Sequence, residues 1–194
     1  MIADKLEPLL TPRLSLHAVK AADAPDIQRA AADREIADGM ISLPHPYPPG
    51  EALRYVAREQ AARDSAEAIC FVIRKRADSD FLGIIELRAI EYGHSHGELS
   101  FWLVKEAWGK AYMPEALAAV VRFGFSELTL NRLYAYHMQR NPASGKILEK
   151  TGFSREGLLR QRVRKWGVYE DVALWAMLSS DWASADRAGS ALPA

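Results

Sequence analysis

Val104-Lys105-Glu106-Ala107-Trp108-Gly109-Lys110-Ala111-Tyr112-Met113-Pro114-Glu115-Ala116 joins two unlike stretches of the chain. The apolar run at 99–104 enters it and reads as a strand. Beyond it, Met113, Ala116, Leu117, Val120, Val121, Phe125 and Leu128 recur at three- and four-residue spacing, the pattern of a long amphipathic helix over 113–128. The connection holds two small residues, Gly109 and Ala111. A strand, a tight loop and a helix in this order gather unpaired backbone N–H groups at a helix N-terminus, where the helix dipole adds partial positive charge. That is a ready anion site, usually for phosphate. Two phosphate patterns are excluded: no Ser or Thr follows Lys110 as in a P-loop, and no G-x-G-x-x-G follows a strand. Taken alone the loop is equally an ordinary strand-to-helix connection, so the rest of the chain decides.

The chain has 194 residues, enough for one well-packed domain. Apolar residues make up 49% and charged residues 26%, a soluble globular balance. The formal net charge is zero, so bulk attraction to nucleic acid or membrane is not expected. Cys70 is the single cysteine and lies in an apolar run. A disulfide within the chain is therefore excluded, which fits a reducing compartment, and a buried thiol is expected rather than a nucleophile. Residues 1–7 carry no apolar signal-peptide core, and no apolar run approaches the ~20 residues of a membrane span. The expected location is the cytoplasm.

Alternation over 11–19 predicts a strand. Asp23 is expected to cap a helix with Pro25 in its first turn, and 34–40 predicts a second short helical piece. Residues 41–50 form a proline-rich loop, followed by a helix over 51–65. Runs at 68–74 and 81–90 predict a hairpin, and 98–104 the strand that enters the loop. His94 and His96 read as solvated turn histidines, and no metal-ligand spacing stands out. A strand over 132–138 follows the long helix. Asn141-Pro142 then caps a short helix that Gly152 stops. Runs at 153–163 and 168–178 predict a last hairpin about Lys165-Trp166-Gly167, and 183–194 a frayed tail. The order β-α-α-α-β-β-β-α-β-α-β-β implies one mixed sheet with helices on both faces.

Five segments at these spacings resemble the GCN5-related N-acetyltransferase (GNAT) superfamily, and within it the RimJ/RimL-like branch that acetylates ribosomal-protein N-termini. They are Thr11-Pro12-Arg13-Leu14-Ser15-Leu16; Phe81-Leu82-Gly83-Ile84-Ile85-Glu86-Leu87; Glu98 to Leu103 with Trp108 to Leu117; Asn141-Pro142-Ala143-Ser144 with Leu148-Glu149-Lys150-Thr151-Gly152-Phe153; and Glu156-Gly157 with Gly167-Val168-Tyr169-Glu170-Asp171. The resemblance implies an α/β (α+β) single domain over 11–182. Its central sheet is mixed and mostly antiparallel, with splayed fourth and fifth strands and helices on both faces. It also implies acetyl-CoA as co-substrate and no metal. The chain departs from the pattern at four places: Glu106 stands where Gln or Arg begins the loop, Ala111 where Gly is commonest, Leu99-Ser100-Phe101-Trp102 where the fourth strand is usually aliphatic-Gly-Tyr-Trp, and Val163 near the position of a glutamate base in some relatives.

Acetyl transfer from a thioester to an amine needs a neutral amine, a stabilised oxyanion and a stabilised leaving thiolate. The resemblance implies that the pyrophosphate sits on the N–H groups of Gly109, Lys110, Ala111, Tyr112 and Met113, with Trp108 also among the cofactor-binding residues. The pantetheine arm would pair with backbone near Trp102, Leu103 and Val104, and an N–H of Trp102 or Leu103 would face the thioester carbonyl. Ser144 is expected to serve the leaving thiolate, or else to bond backbone as a first-turn serine. Asn141 caps, or holds the pantetheine amides. Glu98 is the expected base, or else an exposed strand glutamate, with Glu86 a weaker candidate. His45, Tyr47 and Trp166 are expected to line the acceptor site. Arg160, Arg162, Arg164 and Lys165 form a basic cluster, either a solvated hairpin face or an attraction for an acidic acceptor. The expected activity is direct acetyl transfer in a ternary complex to a primary amine, most simply a protein N-terminal α-amine. Open alternatives are a small-molecule amine acceptor and a non-catalytic acyl-CoA sensor. A strand edge or the Trp166 turn offers a contact for a homodimer.

Overall fold

The computed structural model describes residues 6–187. In chain order its elements are β1 (Leu9–Leu10), β2 (Leu14–Ala18), α1 (Ala24–Ala31), α2 (Arg34–Gly39), α3 (Glu51–Asp64), β3 (Ile69–Lys75), β4 (Phe81–Glu91), β5 (His96–Leu103), α4 (Tyr112–Ser126), β6 (Arg132–Met138), α5 (Pro142–Lys150), β7 (Ser154–Lys165), β8 (Val168–Leu178) and α6 (Ser179–Arg187). The strands form one sheet in the order β1-β2-β3-β4-β5-β6-β8-β7. Every pairing is antiparallel except β5 with β6.

Alternation along the strands sorts side chains between two apolar clusters. Leu14, Leu16, Phe71, Ile85, Leu99 and Leu133 pack with the inner stripe of α4, including Met113, Leu117 and Val120. On the opposite face Cys70, Val72 and Ile84 pack with Ile27 of α1 and Val56 of α3. The predicted periodicity of α4 holds because Met113, Ala116, Leu117, Val120 and Val121 are all essentially buried. Gly152 has a left-handed backbone (φ 90°) and follows the last turn of α5. The Gly152 and Phe153 N–H groups close on the carbonyls of Glu149 and Leu148, both at 3.0 Å, which satisfies the helix end.

Four local expectations are corrected. The first expected strand, 11–19, is shorter: the chain turns at Thr11 to Arg13, extended backbone begins at Leu14, and a short β1 before the turn pairs with β2. Asp23 does not cap α1 with its side chain. Its buried carboxylate takes Arg74 at 2.8 Å, His17 and the Lys20 N–H at 3.0 Å instead. Burial raises its pKa, but these donors outweigh that and hold it at about 2. His96 is no solvated turn residue: it begins β5, half-buried, against the rings of His94 and Tyr134. The expected tail is helical as far as Arg187, because β8 leads directly into α6, whose Trp182 packs on Phe125. The remainder of that tail, 188–194, lies outside the described residues.

Candidate active site

β5 and β6 pair over only four rungs, from His96–Arg132 to Leu99–Ala135. Both strands continue past that point, and each stays held on its outer side, β5 by β4 as far as Leu103 and β6 by β8 as far as Met138. A slot therefore opens between Phe101–Leu103 and Tyr136–Met138. The Val104 N–H donates to the Leu82 carbonyl at 2.8 Å. Peptide groups alternate sides along a strand. Those of Ser100 and Trp102 therefore face β4, and those of Phe101 and Leu103 face the slot. Of the two N–H groups expected to reach a thioester carbonyl, the ladder aims only that of Leu103 into the opening. The indole N–H of Trp108 donates to the Leu103 carbonyl at 2.9 Å and pins the strand end.

The slot leads to the loop before α4. Gly109 (φ 73°) and Ala111 (φ 58°) both have left-handed backbones on either side of Lys110. Alternation of hand turns successive N–H groups toward one side and makes an anion-binding concavity. Among the described residues, no protein group accepts from the N–H groups of Gly109, Lys110, Ala111, Tyr112 or Met113. The side chain of Met113 is core, so this residue offers the site only its backbone. Glu106 is exposed and points no donor at the loop.

Sequence reasoning missed the clamp beneath this loop. Arg13 donates through Nη1 to the Lys110 carbonyl at 3.0 Å and through Nη2 to the Ala111 carbonyl at 3.1 Å. Its Nε meets Glu115 Oε2 at 2.6 Å, and its guanidinium lies 4.6 Å from the Tyr112 ring centroid. Glu115 also accepts from the Arg13 N–H at 2.9 Å and from the Thr11 hydroxyl. In a planar trans peptide, C=O and N–H point in opposite directions. Pulling the carbonyls of Lys110 and Ala111 toward Arg13 therefore aims the N–H groups of Ala111 and Tyr112 away from it, into the concavity. Burial raises the Glu115 pKa, but the hydrogen bonds from Thr11 and Arg13 outweigh it and hold the carboxyl below its ordinary range.

At the other wall of the slot, α5 starts directly after β6. Asn141 Nδ2 donates to Ser144 Oγ at 3.1 Å and to the Gly39 carbonyl at 3.1 Å, and Asn141 Oδ1 accepts from the Ser144 N–H at 3.5 Å. Asn141 is thus both a cap and a bracket that ties α2 to α5. Because Ser144 Oγ accepts from Asn141, its own proton is available to an acceptor in the slot. His137 is packing: it accepts from the Trp175 indole at 3.0 Å and sits against Gly145, supporting the helix that carries Ser144.

The face of the sheet away from α4 carries the carboxylates. Glu98 lies one rung before the opening and pairs with Arg88, whose Nε and Nη2 both donate to Oε1 at 3.1 and 2.5 Å. Among the described residues no donor holds Glu98 Oε2. Glu86, across from Ser100 on β4, accepts from the Tyr55 hydroxyl, which also lies 3.2 Å from Cys70 Sγ. Glu59 of α3 completes this polar pocket, and its ligand atoms and those of Cys70 and Glu86 lie within 4.8 Å of one another. Burial, then the neighbouring Glu86 charge, raises the Glu59 pKa to about 7. Burial likewise pushes the Glu86 carboxyl and the Cys70 thiol up, so Cys70 is a protonated, enclosed thiol. Single-sequence reasoning saw no such grouping, because its members come from α3, β3 and β4.

The acceptor-loop residues are only partly brought together. His45 and Trp166 face each other, ring centroids 6.5 Å apart, and Lys165 Nζ donates to the Leu43 carbonyl at 2.7 Å. The hairpin tip thus rests on the proline-rich loop. Tyr47 does not join them. Its ring is buried in the cluster of Val19, Ile27 and Val56. Burying an aromatic ring of this size is worth about 1.5–3 kcal/mol, which a loop folding back on α3 collects.

The family model described as an acetyltransferase (GNAT) domain matches residues 13–154. The probable N-acetyltransferase YjcK of Bacillus subtilis is 35% identical over 127 residues, 65% of this chain and 70% of that one. The ribosomal protein uS5-alanine N-acetyltransferase of Escherichia coli is 26% identical over 139 residues, 71% of each chain. The crystal structure of spermidine N-acetyltransferase from Vibrio cholerae in complex with CoA and spermine has the same fold, with a TM-score of 0.79 at 24% identity, covering 89% of this chain and 99% of that one. An open slot in the sheet, a loop of unpaired amides at its mouth and a family match over both converge: the chain belongs to the GNAT acetyltransferase family and is an acetyl-CoA-dependent N-acetyltransferase.

Proposed function

We propose that the acceptor is the α-amine at the end of a polypeptide, acetylated by direct transfer in a ternary complex. The observation that carries this reading is the distribution of charge around the slot. Carboxylates lie at the inner end of the acceptor face, where Glu86 and Glu98 sit beside the last paired rungs. At the outer rim exposed Arg34 and Lys165 lie against Trp166, and exposed Arg164 lies over the neighbouring Tyr169 ring. One ammonium followed by an uncharged or acidic chain suits that polarity. A polyamine carries further positive charges past the rim, where they meet like charge.

The chain's own residues divide the work. The backbone N–H groups of Gly109 to Met113 hold the pyrophosphate, and the slot-facing peptide groups of Phe101 and Leu103 hold the extended arm. The Leu103 N–H meets the carbonyl oxygen where negative charge develops, a contribution worth roughly 10²–10³ in rate for donors of this kind. Glu98 Oε2 takes the proton that leaves the amine, directly or through one water, while Arg88 fixes the carboxylate through Oε1. Ser144 donates its hydroxyl proton toward the departing sulfur. The buried, protonated Cys70 is no nucleophile, which agrees with direct transfer.

Thiol release from acetyl-CoA, measured with spermidine and with peptides that begin in Ala or Ser, tests this assignment. A higher kcat/KM for the peptides is expected; a higher value for spermidine would replace the reading with a small-amine acetyltransferase.

A further inference from the structure

The β7–β8 hairpin runs beyond the end of β6. Gln139, just past β6, donates its N–H to the Asp171 carbonyl, and residues 160–169 project past that point. This tip exposes large apolar side chains. Trp166 is 45% exposed, Val168 and Tyr169 each 61%. Arg160, Arg162 and Arg164 all face solvent, and Arg34 of α2 joins them over the Trp166 ring at 5.5 Å. Among the described residues none of these four guanidinium groups is in an ion pair. The carboxylates nearest in sequence are engaged elsewhere: Glu156 by Arg132, Glu170 by Arg140, and Asp171 by the Gln161 N–H. The excess positive charge at the tip is therefore unneutralised, and it stands on exposed aromatic rings.

The patch is continuous with the mouth of the slot. Lys165 holds the Leu43 carbonyl, Trp166 faces His45, and Arg140 ties Asp38 of α2 to Glu170 of β8. These residues offer a path for a chain whose end lies in the slot. Resting on the reading of the acceptor as a polypeptide α-amine, we infer that the hairpin tip binds acidic side chains that follow the acceptor's first residues. The partner surface is thus an N-terminal segment rich in Asp or Glu. Guanidinium groups pair with carboxylates by paired N–H donors, and Trp166 and Tyr169 cover the apolar stems between them. An exposed ion pair contributes 0.2–1 kcal/mol, a factor of about 1.4–5 each. Three or four acting together give a preference of about tenfold at low salt that weakens as salt rises.

Peptides sharing the same first two residues, followed by Glu-rich, Ser-rich or Lys-rich segments, are compared by kcat/KM at low and raised salt. The Glu-rich peptide is expected to exceed the Lys-rich one about tenfold at low salt, mainly through KM. The combined variant Arg160→Glu, Arg162→Glu, Arg164→Glu should reverse that order while its acetyl-CoA affinity, read by titration, stays unchanged and reports a folded protein. Equal kcat/KM for the three peptides, or an order unaltered by charge reversal, overturns this inference and leaves the α-amine reading standing. Turnover of spermidine with none of the peptides overturns both. Inhibition by a short single-stranded RNA, without discrimination among the peptides, replaces the acidic segment with a nucleic-acid partner.

Discussion

Substitution of Arg13 by methionine keeps an unbranched side chain and removes the guanidinium that clamps the anion loop. Two effects separate. The first is on stability. Glu115 is 2% exposed and would keep only the Thr11 hydroxyl and the Arg13 N–H as donors. Breaking a buried pair from one side costs about 3–5 kcal/mol. Arg13 itself is 45% exposed, so about 2–3 kcal/mol is expected here. The second effect is on the co-substrate. Without the bonds to the Lys110 and Ala111 carbonyls, nothing fixes the direction in which the Ala111 and Tyr112 N–H groups point. Hydrogen bonds to charged groups are worth about 1.5–3 kcal/mol each. Losing the preorganisation of two such donors should therefore weaken acetyl-CoA binding by about tenfold to a hundredfold. Calorimetric titration of acetyl-CoA, run well below the variant's melting temperature, measures this. The kcat at saturating acetyl-CoA should stay within about threefold, because no clamp atom reaches the reacting carbon. Glu115→Gln leaves Arg13 free to hold both loop carbonyls, so it should lose stability with a smaller change in Kd. An unchanged Kd in a destabilised but folded Arg13→Met protein would refute the reasoning and reduce Arg13 to a staple between β2 and α4.

Ser144→Ala should lower kcat about a hundredfold with little change in acetyl-CoA Kd, and an unchanged kcat removes Ser144 from the mechanism. Gly109→Val should weaken acetyl-CoA binding through backbone strain, since a left-handed β-branched residue costs at least about 1–2 kcal/mol. Glu106→Gln should leave binding within about twofold, because the loop holds its anion through amides; the reverse ranking in a titration would contradict the backbone account. The raised Glu59 pKa, about 7, makes native stability complete below the ordinary carboxyl range and lost as pH rises through about 7. Glu59→Gln should remove that fall and exceed the parent by about 1–2 kcal/mol near pH 8 but not near pH 5, measured by chemical denaturation.

What the sequence displayed was local. The apolar run, the two small residues and the periodic helix around residues 99–128 announced a strand, a tight loop with unpaired N–H groups and a helix, and the structure has all three there. Asn141 and Gly152 likewise bracket their helix as capping chemistry requires. Contacts between distant segments were hidden. Arg13 meets a loop about a hundred residues away, and Glu59, Cys70 and Glu86 converge from three elements, so neither grouping has a spacing to recognise. Tyr47 misled because an aromatic among prolines suggests an exposed loop, whereas the loop folds onto α3 and buries the ring. Ala111 departs from the glycine common in the family, yet its backbone is left-handed, so the geometry persisted where the residue type did not.

The most direct measurement offers the enzyme acetyl-CoA and a peptide carrying both a free N-terminus and an internal lysine, and locates the acetyl group by fragmentation mass spectrometry. The account predicts modification at the α-amine, with one free thiol per acetylated peptide and no acetyl group retained on the protein. Acetylation at the lysine side chain, or an acetyl group residing on the enzyme, would contradict it.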